Sequence, residues 1–589
     1  MNCPSRTDTD PLQPEGWNQN PNALSADTTT RADLDHIASA RLQRNHIIAT
    51  TDAIKTKIEQ SEDYETEGTD RNIKPKVSGG QGDHATSDDK ISGAGAGASS
   101  PPAEHGGGTG KIVGDWRRTL RGLTGKASKV LLKYAKFIGP GFMVAVAYID
   151  PGNYATDVAA GASFKFKLLF IVLMSNIFAI FLQSLCIKLG SVTGMNLAEN
   201  CKANLPLWLN YVLYFFAESA IIATDIAEVI GTAIALNLLL HIPLVAGCAI
   251  SIVDVLVILV FYQPSGAMRA LRAFEFFVML LVLGVVICFC FELTKIKASV
   301  GEVFHGYLPS STLVQSQALY QSCGILGATV MPHSLYLGSG IVQPRLREYD
   351  EINETAEIPD TDSINTQIKY KPSLAAIQSC MSYSIVELAI SLFTFALFVN
   401  SSILIVAGAS LYGLPEANDA DLFSIHSLLS RSIAPVAGTL FALALLLSGT
   451  SAGIVCTISG QMISEGQLNW SLKPWLRRLV TRLISITPSI IIAGAAGREG
   501  LGKALAGSQV ALSVILPFVS APLLWFTCRG KYMKVAVHGN NGPVGAEDDG
   551  ERHVQMRNGW ITTVFALLIW GVIVVMNVAL LVLVGMGVA

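Results

Sequence analysis

The fold is decided by GPGFMVAVAYIDPGNYATDVAAG, residues 139–161, an apolar stretch that a proline and a carboxylate interrupt near its middle. A second apolar stretch, QSCGILGATVMPHSLYLGSG at residues 321–340, is interrupted by Pro332 in the same way. A proline inside a helix removes a backbone hydrogen bond and clashes with the preceding turn, at a cost of about 3 kcal/mol. Membranes tolerate such breaks where the freed carbonyls line a cavity inside the protein. The two stretches therefore predict a pair of broken membrane helices.

The rest of the chain has the composition of an all-α polytopic membrane protein. Its 589 residues are 50% hydrophobic and only 15% charged, whereas a soluble domain has about 25% charged residues. The net charge of −3 offers no basic surface for nucleic acid. A soluble enzyme, a nucleic-acid-binding protein and a secreted disulfide scaffold are therefore excluded. Long apolar runs are typical of membrane helices, and eleven such segments occur, near 137–160, 168–190, 207–238, 243–262, 273–293, 316–343, 378–408, 432–458, 478–496, 504–528 and 559–587.

The positive charges between these segments predict the orientation. With the N-terminus in the cytoplasm, cytoplasmic loops and the juxtamembrane stretch hold 23 Lys and Arg residues, against 7 on the other side. Because cytoplasmic loops carry the excess of Lys and Arg, we expect a cytoplasmic N-terminus and a C-terminus on the opposite side. The membrane itself stays open between plasma membrane and endosomal or vacuolar membrane.

The sequence divides into three regions. Residues 1–115 are polar and rich in Gly, Ser, Thr and Asp, so we expect a disordered cytoplasmic tail on which trafficking or ubiquitin machinery are candidate partners. We expect residues 116–136 to form a basic juxtamembrane segment and residues 137–589 to form the transmembrane domain. No cofactor is expected.

The two broken segments stand at positions one and six, so the first ten segments read as two halves of five. Broken helices at corresponding positions of two halves indicate a transporter site near the middle of the bilayer. Asp150 lies at membrane depth, where an ionised side chain costs about 2.5–3.5 kcal/mol on insertion scales. A bound cation would offset that cost. Asn153 offers an amide oxygen, Met331 a thioether, and the broken backbone near Ala147 and Ala328 offers carbonyls.

The thioether decides which cation this set favours. Mg²⁺ and Ca²⁺ prefer oxygen ligands, whereas a sulfur donor favours softer transition metals. The set therefore predicts a site for divalent Mn, Fe or Co.

A second group of ionisable residues lies on the third segment. Steps of seven and ten residues place Asp225 about 20° and Glu228 about 80° around the helix from Glu218. Three acids on one face cannot face lipid. Arg482 in the ninth segment is their predicted basic partner, and His333 titrates near neutral pH. These residues predict a proton pathway, and a structural ion-pair network is the alternative.

The motifs resemble those of the NRAMP (natural resistance-associated macrophage protein) family of metal-ion transporters, and fungal members most of all. The resemblance rests on DPGN at Asp150–Asn153, on ATVMPHSLYL at Ala328–Leu337, on the three acids of the third segment and on Ser508-Gln509-Val510. It covers about residues 130–528.

The resemblance implies a LeuT-like inverted repeat, with helices 1–5 and 6–10 as its halves, and proton-coupled uptake of Mn²⁺ and Fe²⁺. It assigns the metal ligands to Asp150, Asn153, Met331 and the Ala328 carbonyl, joined in some conformations by the Ala147 carbonyl and Gln509. It assigns the proton route to His333, Glu218, Asp225, Glu228 and Arg482.

Two other functions are alternatives to a proton-coupled symporter. An amino-acid carrier of this architecture would bind a carboxylate at the breaks, where Asp150 would repel it. A membrane metal sensor without transport is the second alternative, and it would signal through the tail.

Overall fold

The computed structural model describes residues 139–251, 268–353, 370–414, 421–468, 474–537 and 552–587. The predicted tail and the basic juxtamembrane segment lie outside the described residues. The helices, in chain order, are α1 Pro140–Val146, α2 Pro151–Phe164, α3 Leu169–Thr193, α4 Leu197–Asn204, α5 Leu207–Leu240, α6 Met268–Lys295, α7 Val300–Gly306, α8 Ser316–Thr329, α9 Pro332–Gly340, α10 Gln343–Asn353, α11 Leu374–Ser391, α12 Leu397–Ser410, α13 Leu422–Ser432, α14 Pro435–Leu468, α15 Pro474–Ala495, α16 Gly497–Cys528 and α17 Trp560–Gly585. A π-helical turn, Leu392–Ala396, joins α11 to α12, and strands β1 Lys534–Val537 and β2 Arg552–Gln555 pair antiparallel.

Eight helical spans within the described residues are long and apolar enough to cross a membrane. They coincide with the predicted segments 2, 3, 5, 6, 7, 8, 10 and 11. Segment 1 consists of the short helices α1 and α2, and segment 9 is α15. Of segment 4, only the part up to residue 251 is described, and residues 244–251 are helical.

Both predicted breaks are present, and both have the same local structure. In the first, Asp150 takes an extended backbone conformation directly before Pro151, the first residue of α2. In the second, Met331 takes an extended conformation before Pro332, the first residue of α9. A residue before proline is pushed out of the helical region, and proline fits the first turn of a helix because its missing N–H is not needed there. Each X-Pro pair therefore ends one helix and starts the next.

Glycines let the neighbouring helices approach the breaks closely. A Cβ on Gly231 of α5 would overlap the ring of Pro151, and one on Gly152 would overlap the side chain of Gln509 in α16. A Cβ on Gly327 would likewise overlap Ser513 of α16. The breaks are thus enclosed between α5 and α16.

Burial separates the centre of the bundle from its edge. In the broken sixth segment, 94% of an apolar 18-residue stretch is buried inside the protein, compared with 28% of the corresponding stretch in α17. The long helix α14 packs along α5 and α6. The breaks therefore lie at the centre of the bundle, while α17 lies at its periphery.

Candidate metal site

The two prolines leave backbone oxygens available at the centre of the bundle. In an α-helix, the carbonyl of each residue accepts a hydrogen bond from the N–H four positions later. Four positions after Ala147 stands Pro151, and four positions after Ala328 stands Pro332. Proline has no N–H, so neither carbonyl has its usual helical donor. Both alanines are buried, and their oxygens are suited to bind a cation.

Asp150 is held in place by the start of α2. Its Oδ2 accepts from the backbone N–H of Gly152 at 3.0 Å, and its Oδ1 accepts from that of Asn153 at 3.2 Å. An aspartate at this position satisfies free N–H groups of the first helical turn, and the helix dipole favours its negative charge. The side chain is 1% exposed. The carboxylate therefore has a fixed position and no access to solvent.

The Asn153 amide connects the two breaks. Its Nδ2 donates to Asp150 Oδ1 at 2.7 Å and to the Tyr148 carbonyl at 3.0 Å. Its Oδ1 lies 3.5 Å from Oγ1 of Thr329, which belongs to the second break. Because both Nδ2 hydrogens are used by protein acceptors, the oxygen is the part of this amide that remains to bind a cation.

Two further amide oxygens and one sulfur are buried in this region. Within the described part of the chain, Gln509 Oε1 and Asn400 Oδ1 are buried without a hydrogen-bond partner. The Asn400 amide donates to the Tyr148 carbonyl at 3.1 Å, which ties this side chain to the first break. Met331 is fully buried. Oxygen acceptors without donors are unusual in a protein interior, and a cation would satisfy them.

A separate charged cluster lies between α5, α14 and α15. Arg482 Nη1 contacts Asp225 Oδ1 directly and lies 3.5 Å from Glu228 Oε2. All three side chains are buried. One ligand atom from each of Asp225, Glu228 and Cys456 lies within 4.8 Å of the others. The Arg482 guanidinium therefore pairs with both carboxylates inside the bundle.

His333 lies between the breaks and that cluster. Its Nδ1 is 3.3 Å from Oγ1 of Thr224, the residue before Asp225, and its Nε2 is buried with no hydrogen-bond partner in the residues that the structure describes. Glu218 is two turns earlier on α5, about 10 Å along the helix axis from Asp225, and one of its oxygens is buried without a partner. The histidine thus connects α9 to the acid-bearing helix, and Glu218 is set apart from Arg482.

The first break is closed on its α1 side by a hydrogen-bonded triangle. Tyr148 Oη lies 3.0 Å from Ser334 Oγ. Gln183 Nε2 donates to both oxygens, at 2.9 Å and 2.8 Å. The triangle joins segments 1, 2 and 6 next to the two breaks.

The start of α1 is fixed by a glutamate from α11. Glu387 Oε1 accepts from the backbone N–H of Gly139 at 2.7 Å and from that of Gly141 at 3.2 Å. Arg345 Nη1 lies 3.3 Å from Glu387 Oε2, and Arg345 Nη2 lies 3.8 Å from Glu275 Oε2. These contacts hold the start of α1 against α11.

Three groups of residues in this region were not predicted as site residues. Asn400 is a single amide in an apolar segment, and that polarity was the only available signal. Tyr148, Ser334 and Gln183 come from three different segments, so no spacing relates them. Cys456 is a small apolar-type residue whose proximity to the acids depends on the packing of α14 against α5.

The sequence as a whole was compared with known proteins. A family model for natural resistance-associated macrophage protein-like chains matches residues 141–541, more than half of the chain. The chain belongs to the Nramp family.

Nramp relatives from fungi match over most of their length. The chain is 53% identical over 499 residues to the manganese transporter SMF1 of Saccharomyces cerevisiae, covering 78% of this chain and 87% of that one. It is 56% identical over 424 residues to the iron transporter SMF3 of the same yeast, covering 72% and 87%. A crystal structure of the Eremococcus coleocola manganese transporter, bound to an aromatic bis-isothiourea-substituted compound, superposes with a TM-score of 0.61 at 32% identity, covering 77% of this chain and 87% of that one. The predicted Nramp fold, with its broken first and sixth helices, is therefore confirmed.

Proposed function

We propose that the chain is a proton-coupled symporter that carries divalent transition-metal ions toward the cytosol by alternating access. The substrates are Mn²⁺ and Fe²⁺, with Co²⁺ as a further candidate. The observation that supports this most is the meeting of two proline breaks around a buried carboxylate, a buried thioether and amide oxygens without donors. The relatives that match are named as manganese or iron transporters, which favours transport over a non-transporting sensor.

In this proposal the metal binds between the breaks. Asp150 supplies the negative charge, Asn153 and the Ala328 carbonyl supply neutral oxygens, and Met331 supplies the sulfur. The Ala147 carbonyl and Gln509 join when the helices move. A sulfur donor weakens the site for Ca²⁺ and Mg²⁺, which bind oxygen almost exclusively, and is acceptable to a first-row transition metal.

The proton takes a different route through the molecule. His333 is the first carrier, because it lies beside Thr224 at the entrance to the ion-pair network. Asp225 and Glu228 with Arg482 continue the route, and Glu218 lies beyond them on the same helix. Because the two routes are separate, a metal ion and a proton can move in the same direction without binding at the same position.

Alternating access follows from the closure of the site. Every side chain that we assign to the metal is at most 2% exposed, so ions enter and leave only after helices move. The triangle of Tyr148, Ser334 and Gln183 and the contacts of Glu387 with α1 are the interactions that must break for release toward the α1 side. A bound ion shifts this equilibrium only through different affinities for the two states.

The test is Mn²⁺ uptake into proteoliposomes, with and without an inward proton gradient, for the wild type and Met331→Ala. We expect the gradient to accelerate uptake. In Met331→Ala we expect Ca²⁺ and Mg²⁺ to compete with Mn²⁺, because the site then offers oxygen alone. Met174→Ala is the matched control, since Met174 packs against the core from α3, outside both breaks.

Two results would contradict the proposal. If the protein binds Mn²⁺ but transports none under any gradient, it is a sensor. If Met331→Ala and Met174→Ala exclude Ca²⁺ equally well, the thioether does not set the selectivity.

A further inference from the structure

A narrow gap lies between five helices near one end of the bundle. It is too narrow for a water molecule. Its walls are apolar side chains of α2, α6, α12, α13 and α14, among them Val158, Ile403, Ile425 and Phe441. The positive-inside count assigns this end to the side opposite the cytoplasm.

One residue that lines the gap is ionisable, whereas the others are apolar. Glu292 of α6 lines the gap, is 0% exposed, and has both carboxyl oxygens buried without a hydrogen-bond partner among the described residues. It stands one turn before Lys295, the exposed last residue of α6. A carboxyl group is thus held in a dry apolar space close to the end of a membrane helix.

Within the part of the chain that the structure describes, no cation pairs with this carboxyl. The titratable groups on α2 are Asp157 and Tyr154, the near part of α6 carries Cys288 and the exposed Cys290 and Lys295, and α12 offers none. On α13 they are His426, whose pKa burial lowers, and Arg431, which is exposed at the helix end. The part of α14 that lines the gap is Phe441, and Ile425 and Leu429 are the residues of α13 that line it.

The gap is connected to the metal site through one aromatic ring. Tyr154 follows Asn153 directly, and its ring lies 5.7 Å, centroid to centroid, from both Phe289 and Phe441. Both phenylalanines line the gap. Movement of α2 therefore changes the gap and the metal site together.

The chemistry of the gap selects its ligand. A single carboxylate among apolar walls offers no further oxygen or sulfur to a metal ion, which requires several donors. An ionised carboxylate without water or a partner is strongly disfavoured in such surroundings. Only the neutral acid suits the closed gap, and a proton is the ligand that makes it neutral.

We propose that Glu292 is a proton-binding site whose occupancy holds the outer end of the bundle closed. The proton binds when helices α2 and α13 close over the gap, and it leaves when they separate and water reaches the carboxyl. Because a ligand that prefers one state stabilises that state, acid on this side favours closure and alkali favours opening. The proposal rests on the alternating access argued above, but the protonation of Glu292 can be measured without transport.

The direct test is infrared difference spectroscopy of the purified full chain. Subtracting the wild-type spectrum from that of Glu292→Gln is expected to give the loss of one carboxylic-acid C=O band at neutral pH. Glu499→Gln is the matched control, because Glu499 is an exposed carboxylate paired with Lys503 at 2.7 Å near the same end, and it is expected to lose no acid band. If the glutamine variant does not fold, Glu292→Asp is expected to shift the band instead of deleting it.

The coupling to closure is tested by hydrogen exchange of residues 422–432, with rates corrected for the intrinsic effect of pH. In the wild type we expect these amides to be several-fold better protected in acid than in alkali. In Glu292→Gln, which is permanently neutral, we expect no dependence on pH.

Three outcomes would overturn the proposal. The first is an unchanged acid band in both variants of Glu292, which would mean that the group is ionised in the closed state. The second is loss of the wild-type band on adding Mn²⁺ at constant pH, which would make Glu292 a metal ligand. The third is the same pH response of residues 422–432 in the wild type and in Glu292→Gln. None of these outcomes bears on whether the chain transports metal.

Discussion

At the scale of single residues, Asp150 is the only ionisable side chain among the proposed ligands. It is held by three N–H donors from Gly152 and Asn153, so its position does not depend on the metal. Asp150→Asn keeps the size of the side chain and removes its charge. We expect the affinity for Mn²⁺, measured by isothermal titration, to fall about tenfold or more, since a charged ligand binds a cation more strongly than an amide.

Asp421→Asn is the control for that substitution. Asp421 also precedes a helix and accepts from Ser424 N at 2.8 Å, but it starts α13, away from the breaks. Its replacement is expected to leave Mn²⁺ affinity unchanged. Equal losses in the two variants would show that the effect comes from the helix start and not from the metal.

Gly231 is a second residue with a specific role, because its Cα faces the ring of Pro151. A methyl group there has no flexible neighbour to displace. We expect Gly231→Ala to destabilise the protein by about 1–3 kcal/mol through overpacking, seen as a thermal midpoint lower by several degrees. Gly571→Ala in α17 is the control, since a Cβ there meets nothing within 4 Å, and alanine is expected to be neutral or stabilising. A Gly231→Ala midpoint equal to that of Gly571→Ala would contradict this account of the break.

At the scale of elements, the start of α1 depends on one glutamate from α11. Glu387 accepts from two backbone N–H groups and pairs with Arg345. Glu387→Gln keeps an acceptor but loses the charge, and charged hydrogen bonds are about twice as strong as neutral ones. We expect amides 139–146 to exchange hydrogen several-fold faster, measured by mass spectrometry.

Glu348→Gln provides the comparison for the α1 prediction. Glu348 also pairs with an arginine, Arg272, at 2.8 Å, but it is partly exposed and does not contact α1. Exchange at residues 139–146 is expected to match the wild type in this variant. If exchange at residues 139–146 is also faster in Glu348→Gln, or is unchanged in Glu387→Gln, Glu387 does not have the proposed role in closing the α1 side.

The elements also show which structural features are readable from sequence. The two breaks were predictable because Asp150-Pro151 and Met331-Pro332 are local features whose backbone geometry follows from proline itself. The triangle of Tyr148, Ser334 and Gln183 was not predictable, because it forms only when three segments up to 186 positions apart pack together. Glu292 could be seen as an acid near a helix end, but the dry gap around it depends on five helices.

At the scale of the whole molecule, the orientation in the membrane is testable by glycosylation. Asn353 and Asn469 begin Asn-X-Ser/Thr sequons, and both stand between predicted segments, in stretches that the charge count places in the cytoplasm. We expect both to remain unmodified in a eukaryotic host, so that glycosidase treatment leaves the mobility of the protein unchanged.

Ala420→Thr supplies the positive control for orientation. It creates a sequon beginning at Asn418, between predicted segments 7 and 8, in a stretch that the charge count places on the opposite side. This variant is expected to carry a glycan that the glycosidase removes. A glycan at Asn353 or Asn469 in the wild type would invert the proposed topology, and transport toward the cytosol would then have to be reassigned.

The prolines at the breaks have a consequence for how such a site changes in evolution. Every amino acid has a backbone carbonyl oxygen, so no substitution at Ala147 or Ala328 removes it. What frees these oxygens is the break that each proline imposes four residues later, at Pro151 and Pro332. A single codon change at either proline would let the preceding residue return to the helical region, and a continuous helix would then give the alanine oxygen a competing N–H donor. The availability of these two backbone ligands therefore depends on residues that do not contact the ion themselves.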